Sequence, residues 1–485
     1  MSVDDDASAA IATAAARLTY EDLSPAVIQT AKRSILDTLG VCMAATGAAP
    51  EVGPLRAFTQ AEATQSGVPA LGFGWPLPTL DAVFWLGALS HALDYDDYAD
   101  IVHPSAPVVS AILPLAQSRP PIDGRTAITA VALGQDIIIR LTLAIGRSVA
   151  DYGWLPSLPG AIGAALASSK ILGLGEKQTR NAIGLALHQT GGTMQALTET
   201  GSAFRGIREG FNARAGAQSA LLASFGMPGD DGSLEGSFGL FAQFFEGDYD
   251  RDFLLRGLGR ELLGPMITFK PWPSAGHTHL YLTALQALLA DPSVRTDDVR
   301  RIRIAGGSEI LRQQCEPRAE RVAPGQSIDA KVSIPFLIGK FMQRGTVKIT
   351  DFLPDGLRDP EAIAFAERVE WRIDPSLARD GEGFGPGRVE LELSDGRTVA
   401  TQVAHGLGHP ETPLSWEQIV TKFHDCLGVS AVAVSSAAAD EVIAATANLE
   451  SVTDVCVLLD QLTLSPITRR QERLDSEDGQ SLEAV

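Results

Sequence analysis

Residues 87–115 read GALSHALDYDDYADIVHPSAPVVSAILPL, two apolar runs closing around a knot of ionisable groups. His91, Asp94, Asp96, Asp97, Asp100 and His103 fall within thirteen consecutive positions. The flanking runs hold that knot near a core, where charged groups are costly unless paired or put to use. Aspartates favour turns, so a solvated acidic turn capping the next helix is one reading. The edge of an active site is the other, because a histidine facing carboxylates holds a general acid or base near neutrality. Pro104-Ser105 opens the second run as a helix, which fixes His103 at its N-terminal end. That favours the site.

Outward from this stretch, helical spacing fills the first half. Ser24-Pro25 supplies a cap and a first-turn proline ahead of Val27, Ile28, Ala31, Ile35, Leu36 and Leu39. Residues 81–93, 106–118, 125–146, 159–172, 176–187 and 211–222 carry the same spacing. Small residues at Gly160, Ala164 and Ala167 let helices approach closely, which suits the centre of a packed bundle. After Lys270 the texture changes. Strand alternation marks 300–305, 368–373 and 387–394, and Ser394-Asp395-Gly396-Arg397 is a hairpin turn before a returning strand at 399–403. Helices are expected between the strands at 335–343 and 360–367, and again at 417–427 and 435–445.

The pattern predicts a mainly α fold with an inserted α+β domain. A large all-helical domain would combine 1–268 with a return segment, 406–468, and a smaller α+β lid would occupy 269–405. Residues 469–485 read as a mobile tail. A ligand site belongs at the junction of the two domains.

Charge and composition remove several classes. With 39 Lys and Arg against 59 Asp and Glu, the net charge of −20 repels nucleic acid and anionic membranes. An anionic substrate would need a locally basic pocket. The apolar run Ala127–Ile145 is broken by Asp136 and Arg140 and is too polar for a membrane span. Cys42, Cys315, Cys426 and Cys456 are scattered, which argues against an iron–sulfur cluster or structural zinc and fits a reducing compartment. MSVDDDASAAIATAAARL, at the start, has neither a secretory nor a mitochondrial leader pattern, so a cytoplasmic location is expected. No dinucleotide fingerprint, P-loop or GxSxG elbow supports nucleotide chemistry or serine hydrolysis.

Three further stretches carry reactive residue types. Residues 269–279, FKPWPSAGHTH, bring Lys270, His277 and His279 to the change of texture. The two histidines cannot share a helix face, and no nearby carboxylate run supports a metal site. A proline-rich linker with a packed His279 and a carboxylate-binding lysine–histidine pair both remain open. Residues 201–210, GSAFRGIREG, place Arg205 and Arg208 in a glycine-rich loop ahead of a helix, where backbone N–H groups and arginine forks favour anions. Residues 328–336, IDAKVSIPF, set Asp329 two places from Lys331, either as a structural ion pair or as a group closing over the ligand.

Together the HALDYDD and HPSAPV runs, KPWPSAGHTH, Leu234-Glu235-Gly236 and DAKVSIPF resemble the MmgE/PrpD family, in the same order, from about residue 8 to residue 460. That family includes 2-methylcitrate dehydratases, cis-aconitate decarboxylases and iminodisuccinate epimerases. The resemblance implies a homodimer of subunits with a helical domain and an α+β lid. For the decarboxylase and epimerase branches it implies no metal or organic cofactor. It also carries site residues. Asp94 matches the aspartate of the family's D-x-D-D run, His103 its H-P-S histidine, Lys270 its K-P-x-P lysine, and His279 the histidine closing that segment. Three positions depart: Leu155 stands where an aromatic-His-Pro triplet has histidine, Arg205 where lysine is expected, and Ala275 where decarboxylases carry histidine, with His277 nearby.

The expected activity is a cofactor-independent lyase on a small di- or tricarboxylic acid, moving a proton at a carbon next to a carboxylate. His103 would be the general acid or base and Asp94 would orient it. Lys270 and Arg205 would stabilise the charge that develops, with Arg208, His277 and His279 as further binding groups. Leu155 and Ala275 tilt the expectation toward dehydration over decarboxylation. Epimerisation of an imino- or amino-dicarboxylate is the alternative, and a carboxylate-binding homologue without catalysis is the third.

Overall fold

The computed structural model describes residues 5–119, 121–199, 202–307, 310–378 and 385–464. The Ser24 hydroxyl accepts from the Val27 N–H, and the helix Pro25–Ala48 follows with Ile35, Leu36 and Leu39 fully buried. Around it pack Thr79–His91, Ser105–Gln117, Gly124–Leu143, Gly160–Ile171 and Glu176–Leu187, each within three residues of its expected span.

The helix expected at 211–222 is the exception. It runs from Phe204 to Ser224, so Arg205 and Arg208 lie in its first turns and not in a loop before it. Gly206 and Gly210 read as loop residues but lie inside the helix, Gly206 against the Glu51 side chain and Gly210 against the backbone of another helix. A Cβ built on Gly87 would lie 2.7 Å from the Gly210 Cα, so the helices that carry His91 and Arg208 touch backbone to backbone.

Gly124–Leu143 is long and apolar enough to cross a membrane by length and composition, yet it is almost wholly buried inside this protein. Its Asp136 and Arg140 pair at 2.8 Å, and Arg140 also donates to the Arg256 and Glu261 carbonyls. The charges that break the apolar run are therefore paired within the core.

A second core begins at Trp272. A four-stranded mixed sheet runs Val369–Ile373, Val299–Gly306, Gly387–Leu393, Thr398–Val403, with the first pair parallel and the others antiparallel. Val389, Leu391 and Leu393 alternate inward onto helices Thr278–Leu289 and Ile334–Arg344, while Arg303 and Glu390 pair at 2.6 Å on the outer face. Gly396 makes the hairpin turn at φ 85°. The fold is mainly α with a small α+β region. Residues 414–462 return to the first core through Leu414, Ile419, Phe423 and Leu458. Phe269 packs in the first core and Trp272 in the second, so Lys270 sits between them. The expected tail, 469–485, lies outside the described residues, as do Gly201 and 465–468.

Candidate active site

Helix Thr79–His91 ends in the acidic run, and the chain turns back into Ser105–Gln117. Asp94 takes a left-handed conformation, φ 51°, which aspartate tolerates better than most residues. That turn sends neighbouring carboxylates in different directions. Asp96 faces both histidines: its oxygens lie 2.9 and 3.0 Å from His91 Nδ1 and 3.0 Å from His103 Nδ1. His103 Nδ1 also donates to the Asp97 carbonyl at 2.9 Å. A ring nitrogen that faces only acceptors carries the proton, so these partners assign Nδ1–H to both rings and leave each Nε2 a lone pair. The rings meet edge to face, 4.4 Å between centroids.

The electrostatics agree with that assignment. Burial alone would raise Asp96, but the charges and hydrogen bonds of His103 and His91 hold it well below the usual carboxylate range. Burial, then Arg208, pushes His91 down to about 3. A neutral imidazole rests on an ionised carboxylate.

The sequence reading gave Asp94 the task of orienting His103; the contacts give it to Asp96. Asp94 instead pairs with Lys270, whose Nζ lies 2.6 Å from Oδ1 and 2.8 Å from the Asp94 carbonyl. Arg205 Nη2 lies 3.9 Å from the other carboxylate oxygen. Burial pushes the Asp94 carboxyl up, and Lys270, with His91, His103 and Arg205, more than reverses that. Lys270 is fully buried, whereas the side chains of His103, Asp94 and Arg205 keep 12, 13 and 19% exposure. Those three form the reachable side.

The remaining expected binding groups are engaged elsewhere. Arg208 is buried, with Nε 3.2 Å from Glu209 and Nη1 donating to the Arg205 carbonyl, and its charge reaches the site through its effect on the buried His91. His277 Nδ1 lies 2.9 Å from Gln314 Oε1, with its ring edge-on to Tyr281. His279 packs against Trp272 with Nε2 near Ser274, and the charges of Lys270 and Asp94 reach it. Leu155 is fully buried, and the Ala275 N–H donates to the Lys331 carbonyl.

Asp96 and His91 belong to the site, although only their membership of the acidic knot marked them in the sequence. Lys331 makes no ion pair with Asp329. Its ammonium instead donates to the Ala92 carbonyl at 2.9 Å, and Lys422 donates to the Tyr95 carbonyl at 2.7 Å while pairing with Asp37. Three lysines from distant segments thus hold the carbonyls of residues 92, 94 and 95, the turn that displays Asp94.

Comparison with known proteins meets this geometry from another direction. Profiles of the MmgE/PrpD N-terminal and C-terminal domains match residues 9–252 and 272–449. The chain belongs to the MmgE/PrpD family. Cis-aconitate decarboxylase of Aspergillus terreus is 28% identical over 484 residues, covering 93% of each chain. The Homo sapiens cis-aconitate decarboxylase is 27% identical over 472 residues, covering 92% of each. The MmgE/PrpD C-terminal profile ends at 449, beyond the sheet and within the segment that returns to the helical core.

In this MmgE/PrpD protein, His91, Asp94 and His103 each offer one ligand atom within 4.8 Å of the others, a spacing that fits a metal ion. The charge balance favours it less, because Asp94 already faces Lys270 and Arg205. Turnover is expected to survive EDTA treatment and dialysis unchanged. Loss of activity that a divalent ion restores would make the cluster a metal centre.

Stability should depend on pH through buried titratable groups. Burial holds His91, His277 and His279 down to about 3, about 4 and about 3, with Arg208 adding to the effect on His91 and Lys270 on His279. Burial, then Asp37, pushes Asp97 up to about 7. Between about pH 4 and 6.5 the unfolded chain therefore binds protons at three histidines that the folded protein refuses. In that window the folded protein alone protonates Asp97. Burial also raises Asp37, Asp136, Glu209 and Asp351, which act in the same direction as Asp97, so the sign is read from a difference: Asp97→Asn should make stability rise more steeply with pH than in wild type. Urea unfolding of both proteins at successive pH values reads this; parallel profiles contradict it.

Proposed function

We propose that this protein is a cofactor-independent lyase acting on a small di- or tricarboxylic acid of the cis-aconitate type. The observation that carries the proposal is the Asp96-held His103 on the same turn as the Asp94–Lys270–Arg205 cluster. Arg205 and Lys270 would hold a substrate carboxylate where negative charge grows in the transition state. In decarboxylation, His103 would first take a proton from solvent at Nε2 and then give it to carbon as the bond to the departing carboxylate breaks, that bond's electrons staying on the carbon chain. In dehydration the same nitrogen takes a proton from the carbon next to the carboxylate, and hydroxide leaves from the adjacent carbon. The cis-aconitate decarboxylases among the relatives support the first course. The apolar, fully buried Leu155, where family decarboxylases carry histidine, favours the second.

Proton NMR in heavy water, with citrate, methylcitrate, cis- and trans-aconitate and iminodisuccinate as candidates, tests the reading. One acid should be consumed with loss of carbon dioxide or water. Deuterium wash-in with no loss would make the protein an epimerase, and no turnover across the panel would leave a binding protein. We include homodimerisation and a cytoplasmic location in the proposal, to be read by sedimentation and cell fractionation.

A further inference from the structure

Five lysines of this protein are buried: Lys32, Lys270, Lys331, Lys340 and Lys422. Four have a carboxylate partner within 3.0 Å: Glu450, Asp94, Asp359 and Asp37 respectively. Lys331 differs. Among the described residues no carboxylate lies within 4.0 Å of its ammonium, and its hydrogen bond goes to a neutral acceptor, the Ala92 carbonyl. A buried ammonium without a counter-ion is strongly unfavourable, and this one has two N–H donors left over.

Its position shows where the missing charge belongs. Lys331 lies in the turn between Ser327–Ala330 and Ile334–Arg344, in the sheet-bearing part of the chain. It reaches across to the end of the helix that leads into Asp94. The acids whose charge acts on it most are Glu51 and Asp94. Asp94 is already held by Lys270 and Arg205. Glu51 Oε1 is buried without a hydrogen-bond partner, so neither group satisfies the other directly. Glu51, Ala203, Ser327 and Ile328 line a cleft of about 430 Å³ beside this turn, and the buried Ser327 hydroxyl in its wall also lacks a partner.

We propose that Lys331 is a substrate-binding residue whose counter-ion is a second carboxylate of the substrate, distal to the one held by Lys270 and Arg205. The inference rests on the acid-binding reading above and sharpens it: the substrate must carry two anionic ends, and the sheet-bearing part of the protein reads the far one. A monocarboxylic acid would leave Lys331 unsatisfied.

Calorimetry with glutarate, a saturated dicarboxylate with no reactive double bond or hydroxyl, and with its monoamide, which keeps one anionic end, tests this. Wild-type protein should bind the acid more tightly than the amide. Lys331→Met should weaken the acid by about 10- to 100-fold, the loss of a hydrogen bond to a charged group. It should also bring acid and amide to equal affinity. Lys331→Arg keeps the charge and should keep most of the preference; thermal unfolding shows that each variant folds. Equal weakening of acid and amide by Lys331→Met would reduce Lys331 to a tether of the 92–95 turn and overturn the proposal, as would no weakening. Wild-type protein that binds neither compound, and turns over no acid of the panel, fails the acid-binding reading itself.

Discussion

Replacing His103 with glutamine is expected to lower kcat by about 10²–10⁴-fold on whichever acid the panel identifies, the usual contribution of a positioned proton carrier. Glutamine can still donate one hydrogen bond toward Asp96 and the Asp97 carbonyl, so the turn should keep its shape and the melting temperature should stay close to wild type. What glutamine cannot do is take up or give a proton at the position of Nε2. Asp96→Asn probes the same element from behind. An asparagine keeps an acceptor oxygen for the Nδ1–H groups but removes the negative charge that faces both rings, the charge that would balance an imidazolium during proton transfer. Turnover should fall while affinity for glutarate, which rests on the cations, persists. Near-wild-type kcat in His103→Gln would remove the proton-transfer assignment.

Lys270→Met should have the other large effect, and on two quantities at once. The ammonium is fully buried and neutralises Asp94 at 2.6 Å while holding the carbonyl of the same residue. Removing it leaves the partly exposed Asp94 carboxylate with only Arg205, 3.9 Å away, a loss bounded by the ~3–5 kcal/mol typical of breaking a fully buried pair. The urea midpoint should therefore fall together with turnover, so the fold of this variant is weakened as well as its chemistry. Lys270→Met combined with Asp94→Asn removes both charges and should recover most of the stability without recovering activity. Recovery of both would make the pair purely structural; recovery of neither would mean that Lys270 holds the fold by other contacts.

The parts of the fold visible in the sequence are those set by local chemistry. Ser24-Pro25 caps and opens its helix, the 394–397 turn closes its hairpin, and Pro104-Ser105 starts the helix behind His103. Sequence also marked 91–103 as a knot of ionisable groups, and the structure brings them together, but sequence did not say who pairs with whom. Asp94, Asp96 and Asp97 sit within four positions, and the left-handed turn at Asp94 decides which of them meets a lysine and which the histidines. No spacing rule carries that information. Gly210 is ambiguous for a similar reason, because a glycine that admits a neighbouring helix looks the same as one that ends a helix. Of the two readings open for Lys331, the ion pair with Asp329 rests on nearness in sequence alone, whereas its hydrogen-bond partner lies 239 residues away. For His277 and His279 spacing leaves packing and carboxylate binding both open; the structure hydrogen-bonds the first to Gln314 and packs the second against Trp272, within reach of the Lys270 and Asp94 charges.

A crystal structure with glutarate bound tests the central claim most directly. One carboxylate should lie on Arg205, beside the Asp94–Lys270 pair, with the carbon chain facing His103 Nε2 while Nδ1 stays on Asp96. An acid seated elsewhere, or a His103 ring turned to give Nε2 to Asp96, would contradict it.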